Sequence, residues 1–449
     1  MSRSIVLAVA LAAASASAQE ASLKQFLDAA EKGNVDRRIS AAQREKAVAD
    51  FRTAWTGLLP SLTVSGSWVH NQYEAGFTLP DTENPRVCLA DSDCNAGEVC
   101  AKSGAVSLCS KKSVIQPLDQ LDAVLRVDVP IIDAARWFRT GAASSASASA
   151  EQRELATRDL VRRQVVGSYY GYAAALAVRE SAKKSAGVAE AQLKLMEIRA
   201  AAGAVTELDL LRARAEVQRT RQVVADTEAL VATTRRSLLS LSGMPPPEAL
   251  ALPADDARPE QPFGQLEGRV KELPMVRAGE HDVQAANDMA TASRLLLVPM
   301  VSGQFTQRFT NATGFTGESA VYNFGLNLTW RLDVPTFMQM SSQDAAASLA
   351  RLALERSELQ ARDQIHSDWQ RLNASLIKIE AAAAQVTAAS RAAQVARDRY
   401  TAGAGTQVDV IQAERDLFSA EVGQIQARTE LASARASLRI SAGLPLEDR

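Results

Sequence analysis

The residues best equipped for chemistry in this 449-residue chain are four cysteines, Cys88, Cys94, Cys100 and Cys109, gathered in one short polar stretch with Asp91, Asp93 and Asn95. Three chemistries compete for such a cluster. Four thiolates can cage zinc, but zinc knuckles usually set paired ligands two to four residues apart. Here five, five and eight residues intervene. The alternating Asp91, Asp93 and Asn95 resemble the start of a calcium loop, yet no Glu closes it as an EF-hand requires. Two disulfides fit best, because the count is even and the N-terminus, Met1 to Ala18, has the charged start, apolar core and Ala-x-Ala ending of a signal for export. Three connectivities stay open, of which Cys88–Cys100 with Cys94–Cys109 is favoured. No metal and no cofactor is expected.

Nothing else has the pattern of an active site. His70, His281 and His366 fall on one strand and two separate helices. The serine-rich run Ser144 to Ser149 is a helix start, not a nucleophile elbow, and no glycine loop for phosphate follows a strand. Acidic residues are abundant, but at this density solvated helix faces explain them. The reading is therefore not an enzyme. Without Arg3 of the signal the chain has 49 basic and 52 acidic residues, a net charge of −3. A nucleic-acid partner, which favours a basic excess, is not expected.

The elements that would position these residues occur twice. Ala202-Gly203-Ala204-Val205-Thr206-Glu207-Leu208-Asp209 returns 200 positions later as Ala402-Gly403-Ala404-Gly405-Thr406-Gln407-Val408-Asp409, and Ser242-Gly243-Met244-Pro245 returns as Ala442-Gly443-Leu444-Pro445. Such duplication means two similar units on one plan. Long segments without proline, about Ala134 to Ala202 and Phe337 to Ala402, read as helices of some 90 Å at 1.5 Å per residue. Val161, Val165, Tyr169, Tyr172 and Leu176 form an apolar stripe at helical spacing. Each long helix stops at a glycine suited to a left-handed turn, Gly203 or Gly403. Each restarts at a capping pair, Thr206 with Asp209 or Thr406 with Asp409. The return helices end at Gly243 and Gly443.

Four segments alternate with period two, the mark of half-buried strands. Leu62, Val64 and Trp68 oppose Ser61, Thr63, Ser65 and Ser67; Leu121, Leu125, Val127 and Val129 oppose Asp122, Arg126 and Asp128. Val301, Phe305 and Phe309 oppose Ser302, Gln304, Thr306 and Arg308. The run Tyr322 to Val334 has a wholly apolar even face against Asn323, Asn327, Thr329, Arg331 and Asp333. Two hairpins follow, one per repeat, near the ~9–11 residues of a tilted transmembrane strand. Aromatic residues near the strand ends suit a lipid face. Shorter helices precede each hairpin, at Leu23 to Leu58 and Leu266 to Leu297.

The series of short helices, Leu-x-Pro and a strand, a strand ending Val-Pro, a long helix, a Gly-x-x-Thr-x-x-Asp turn and a return helix ending Gly-x-Pro occurs twice between about Ala21 and Pro445. It resembles the TolC-like outer-membrane efflux proteins. The resemblance implies a mixed α and β fold: a homotrimer whose protomers each give four strands to a 12-stranded barrel, continued by a periplasmic helical tunnel. It implies a passive outer-membrane channel of a tripartite efflux or type I secretion system. Its partners would be a periplasmic adaptor, an inner-membrane transporter and outer-membrane lipid. Independently, four strands cannot close a barrel, and lipid does not tolerate an open sheet edge. The alternative is an exported coiled-coil structural or surface-adhesion protein, which leaves the four amphipathic strands unexplained.

The resemblance also places roles on residues. Gly203, Thr206, Asp209, Gly403, Thr406 and Asp409 would form the periplasmic tips that meet the adaptor. Asp409 matches an aspartate ring across the pore, Tyr400 a tyrosine that holds the closed state, and Asp209 its partner on another helix. The pattern departs at Gln412, in place of a second aspartate, and at Gly405, in place of a tip arginine; the simpler role for both aspartates is helix capping. The expected layout is a signal peptide over 1–18, a first repeat over 19–243, a Pro-rich linker over 244–264 and a second repeat over 265–449. Pro60 and Pro130 lie 70 positions apart but Pro299 and Pro335 only 36, so the first hairpin is 34 residues longer. The excess includes a cysteine-rich insert, 86–112, expected on the extracellular side.

Overall fold

The computed structural model describes residues 22–81 and 84–446; the expected signal segment, residues 1–18, lies outside them. The described elements run α1 (Leu23–Gly33), α2 (Val35–Thr56), β1 (Ser61–His70), β2 (Ala75–Pro80), β3 (Glu98–Ser103), β4 (Val106–Gln116), β5 (Asp119–Ile132), α3 (Ala134–Ala201), α4 (Glu207–Ser242), α5 (Phe263–Glu267), α6 (Pro274–Arg294), β6 (Met300–Thr310), β7 (Ala320–Thr329), α7 (Val334–Thr401) and α8 (Gln407–Ser441). The chain forms two units, one of residues 47–147 and 282–350, the other of the remainder.

The first unit holds an antiparallel sheet in the order β1-β5-β6-β7. The duplicated strands therefore do not stay apart, since β5 of the first repeat pairs β6 of the second over Asp122 to Ile132. Leu62 faces Val127, Val127 faces Phe305 and Phe305 faces Phe324, so the period-two alternation merges into one apolar face across all four strands. Its side chains are exposed, among them Leu62, Val64, Trp68, Phe324, Leu326 and Leu328. The opposite face carries Ser, Thr, Asn and Gln, with Asp122 and Arg308 joined at 2.7 Å. No helix among the described residues is long and apolar enough to cross a membrane.

Two boundaries differ from the sequence reading. The last strand ends at Thr329 rather than Val334. Alternation continues beyond it, but the chain leaves the ladder there: Trp330 Nε1 donates to the Leu297 carbonyl at 2.9 Å. Asp333 then caps α7, its carboxylate accepting from Thr336 N at 3.0 Å. The helix consequently starts before Phe337, with Pro335 in its first turn, where a missing N–H leaves no bond unmade. Asp133 caps α3 in the same way, accepting from Arg136 N at 2.9 Å.

The cysteine insert is not an irregular loop. It is a second antiparallel sheet, β2-β4-β3, reaching from Ala75 to Gln116 and so past the expected limits of 86 and 112 on both sides. Ser, Lys and Cys break the alternation of these strands, and cross-links take the place of an apolar core. The sheet also touches the β6–β7 connection: Phe77 and Phe315 rings lie 4.6 Å apart, and Gly314 N donates to the Val114 carbonyl at 2.8 Å.

The helical unit repeats its packing as it repeats its sequence. One cluster contains Phe26, Val165, Tyr172, Val231 and Leu238; the other contains Val276, Ile365, Leu372, Leu431 and Leu438. Val165 and Ile365, Tyr172 and Leu372, Val231 and Leu431, Leu238 and Leu438 are pairs 200 positions apart, so each copy buries the same stripe. A third cluster joins the copies through Val166, Ala436 and Ile440. The short helices differ: α1 and α2 form a full pair, whereas α5 is a single turn of 5 residues. The acidic linker is fastened to α8 by Arg428–Asp255 at 3.0 Å and by Arg435 and Arg439 to Glu260 at 3.3 and 3.0 Å.

Candidate gate at the helix-hairpin tips

Both tip turns are built alike. Gly203 and Gly403 adopt φ of 72° and 75°, a left-handed conformation that favours glycine. Behind each, the N–H of Ala204 or Ala404 reaches back to the carbonyl of Arg199 or Arg399, at 2.9 and 2.8 Å. In the second turn Gly405 also packs closely, since a Cβ there would stand 3.2 Å from Tyr400 N, although the first turn accommodates Val205 at the matching position.

The caps are unequal. Thr406 and Asp409 form a reciprocal box: Asp409 N donates to Thr406 Oγ1 at 3.2 Å, and Thr406 N donates to the Asp409 carboxylate at 2.9 Å. That backbone bond, with the Thr406 hydroxyl, holds the exposed Asp409 carboxyl below the usual aspartate range. Asp209 N donates to Thr206 Oγ1 at 3.2 Å, and the Thr206 hydroxyl in turn donates to its carboxylate at 2.7 Å. Asp209 also pairs with Arg212 at 3.7 Å. Tyr400 is not joined to Asp209. Its hydroxyl meets Met196 Sδ at 3.2 Å, and the Arg199 guanidinium lies 5.1 Å from its ring centre. The expected tyrosine–aspartate link is absent from the described contacts, and the tie from α7 to α3 runs through Met196 and Arg199. Gln412 lies along its own helix and donates to Asp416 at 2.9 Å.

A partly buried polar link near the tips joins the two return helices. Glu216 of α4 accepts from Arg219 at 3.0 Å and from Arg415 of α8 at 3.0 Å. Burial opposes its charge, but the two guanidiniums outweigh that and keep its carboxyl below the ordinary glutamate value. Comparing the copies offers a signal, because Arg415 and Gln407 stand where the first repeat has Ala215 and Glu207. Beside this link lies a cavity of about 20 Å³, lined by Gln192 of α3, Glu216 of α4 and Gln407 and Glu414 of α8.

In the insert, disulfides join Cys88 to Cys100 and Cys94 to Cys109, with Cα separations of 5.8 and 5.5 Å. Cysteines so paired offer no thiolate to zinc. Asp91 accepts from Cys100 N at 2.7 Å, and Asp93 accepts from Leu89 N and Ala90 N at 2.8 and 3.0 Å. These bonds shape the turn, and those from Leu89 and Ala90 lower the Asp93 carboxyl. His70 pairs with Asp119 at 2.9 Å, while His366 packs edge-on against Phe263.

Comparison with known proteins agrees with this architecture. The family model described as outer membrane efflux protein matches residues 26–244 and 271–444, once per repeat. The chain is 25% identical over 306 residues to Protein CyaE of Bordetella pertussis, an alignment covering 62% of this chain and 61% of CyaE, less than two thirds of its length. It is 22% identical over 432 residues to the probable efflux pump outer membrane protein TtgC of Pseudomonas putida, covering 93% of this chain and 81% of that one. The crystal structure of the Campylobacter jejuni CmeC outer membrane channel superposes with a TM-score of 0.77 at 17% identity, over 94% of this chain and 85% of CmeC. The family consists of outer-membrane channel proteins rather than enzymes. This chain belongs to the outer membrane efflux protein family.

Proposed function

We propose that three copies of this chain form a passive conduit across the outer membrane, completing a tripartite efflux or type I secretion system. The observation that carries this reading is the sheet β1-β5-β6-β7, in which β1 and β7 each leave one edge unpaired and one whole face is apolar and exposed. In lipid those edges need partners, and a water-filled lumen needs more than about eight strands. Three protomers supply twelve. The polar face with Arg126, Asp128 and the Asp122–Arg308 pair then lines the lumen. A structural or adhesive coiled coil gives that sheet no purpose.

The helical tips meet a periplasmic adaptor that links the conduit to an inner-membrane transporter. Gly203, Thr206, Asp209, Gly403, Thr406 and Asp409 form that contact surface, and three copies of Asp409 stand near the pore axis as a gate. Tyr400 holds the tip through Met196 and Arg199. The signal peptide, residues 1–18, directs export. The disulfide-linked insert lies outside the cell, since it connects the strand ends opposite those joined to α2 and α3. TtgC is named a probable efflux pump outer membrane protein, and such a part suits a conduit. Purified protein is tested by mass measurement in detergent and planar-bilayer recording. A trimer with stepwise conductance is expected; a monodisperse, non-conducting monomer overturns the reading.

A further inference from the structure

The cavity beside the Glu216–Arg415 link collects polar atoms that lack partners. Gln407 is 3% exposed, yet neither its Oε1 nor its Nε2 has a hydrogen bond among the described residues. Gln192 Oε1 is likewise buried without a donor. Glu414 Oε1 accepts no hydrogen bond, although it lies 3.3 Å from Arg397 of α7. Three acceptors and one donor therefore face one space, and a buried acceptor without a donor is destabilising. What this site lacks is a hydrogen.

The surrounding charges decide how it can be supplied. On α4, Glu216 is held ionised by Arg219 and Arg415. On α7, Arg397 faces Glu414. On α8, Glu421 adds a second negative charge and is itself tied to Ser181 and Lys184 of α3. Five charges line or flank the cavity directly: Glu216 and Glu414 against Arg219, Arg397 and Arg415. Their sum is already +1, which disfavours a metal cation. A proton taken by Glu414 is different, because it converts an acceptor into a donor at the place where acceptors are in excess.

We propose that this cavity is a proton-binding site, in which Glu414 takes a proton under mild acid and donates it in a hydrogen bond to the amide oxygen of Gln192 or Gln407. The bond forms directly or through one water, for which about 20 Å³ is enough. The exchange weakens the Arg397–Glu414 tie within the second hairpin and strengthens the hold of α8 on its own start or on α3. Burial pushes the Glu414 carboxyl up, against Arg397 and with Glu421, whereas Glu216 in the same cavity is held low. The two carboxyls are thereby driven apart, so one titrates while the other keeps the Arg415 link. A carboxyl raised in the folded state destabilises the fold above its folded value, and the penalty disappears as pH falls toward the ordinary value of 4.5.

The test uses the intact trimer and the Glu414→Gln variant, whose neutral amide can donate as the protonated acid does. The variant should melt above wild type at neutral pH, and the gap should close as pH is lowered to about 4.5. In bilayers, wild-type conductance should change in one step between neutrality and that pH, while the variant stays at the acid level throughout. Gln407→Leu, which removes a receiving amide, should move the wild-type step to lower pH. A melting gap independent of pH, or a variant that titrates as wild type does, overturns the proposal. The conductance readout rests on the conduit reading; if neither protein conducts, that reading fails and the melting gap alone decides this one.

Discussion

Glu216 on α4 and Arg415 on α8 are bonded at 3.0 Å, tying the return helix of one repeat to that of the other. The pair breaks the internal symmetry, since the positions 200 residues away hold Asp416 and Ala215. Its carboxylate is nearly buried and its guanidinium partly exposed, so its contribution lies between that of surface and buried pairs. Glu216→Gln should destabilise the fold by about 1–2 kcal/mol at neutral pH. A carboxyl held low when folded stabilises the fold above its unfolded value, and that support is lost as pH falls through the folded value. The difference between Glu216→Gln and wild type should therefore shrink in acid below 4.5, as thermal melts across pH would register.

The reciprocal box at Thr406 and Asp409 separates capping from gating. Thr406→Ala should lower helix-tip stability by about 1 kcal/mol, visible as faster hydrogen exchange over residues 407–411. Under the proposed trimer, with its three Asp409 carboxylates near one axis, Asp409→Asn should weaken block of the pore by polyvalent cations. Unchanged block in conductance titrations would leave Asp409 as a cap alone.

The apolar face of β7 gives a directional test. Leu326→Arg places a charge on the face assigned to lipid, at an expected cost of about 2–4 kcal/mol near the midplane. It should deplete the proposed trimer from outer membranes. Asn327→Arg, one residue along on the opposite face, should assemble normally and alter only conductance. Equal loss in both variants would contradict the assignment of faces.

Intact cells should show no reactive cysteine before reduction and four after it, since the described cysteines are all paired. Removing the whole second sheet, residues 74–117, and rejoining the ends of β1 and β5 should preserve trimer and conductance. The second copy already forms a hairpin of plain length. A truncation limited to 86–112 should do worse, because it strands β2 without β4. Loss of the trimer in the full deletion would make the insert a structural part of the barrel.

Sequence alone determined the features that depend on local pattern and on repetition. The 200-residue offset, the two 68-residue helices, their glycine turns and Thr-x-x-Asp caps all follow from short-range rules, and the four strands of the larger sheet follow from period-two alternation. Pairings that join distant segments required the tertiary structure. No local rule places β5 against β6, Arg415 against Glu216 or Tyr400 against Met196, because each depends on how the repeats pack on one another. The small sheet of the insert has a related cause: Cys88–Cys100 and Cys94–Cys109 fasten the connection between β2 and β3 onto β3 and β4, so cross-links rather than apolar alternation support it. The orphaned amide of Gln407 is the clearest case. Its first-repeat counterpart Glu207 is exposed in a nearly identical turn, and only the packing of α3, α4 and α8 buries one and not the other.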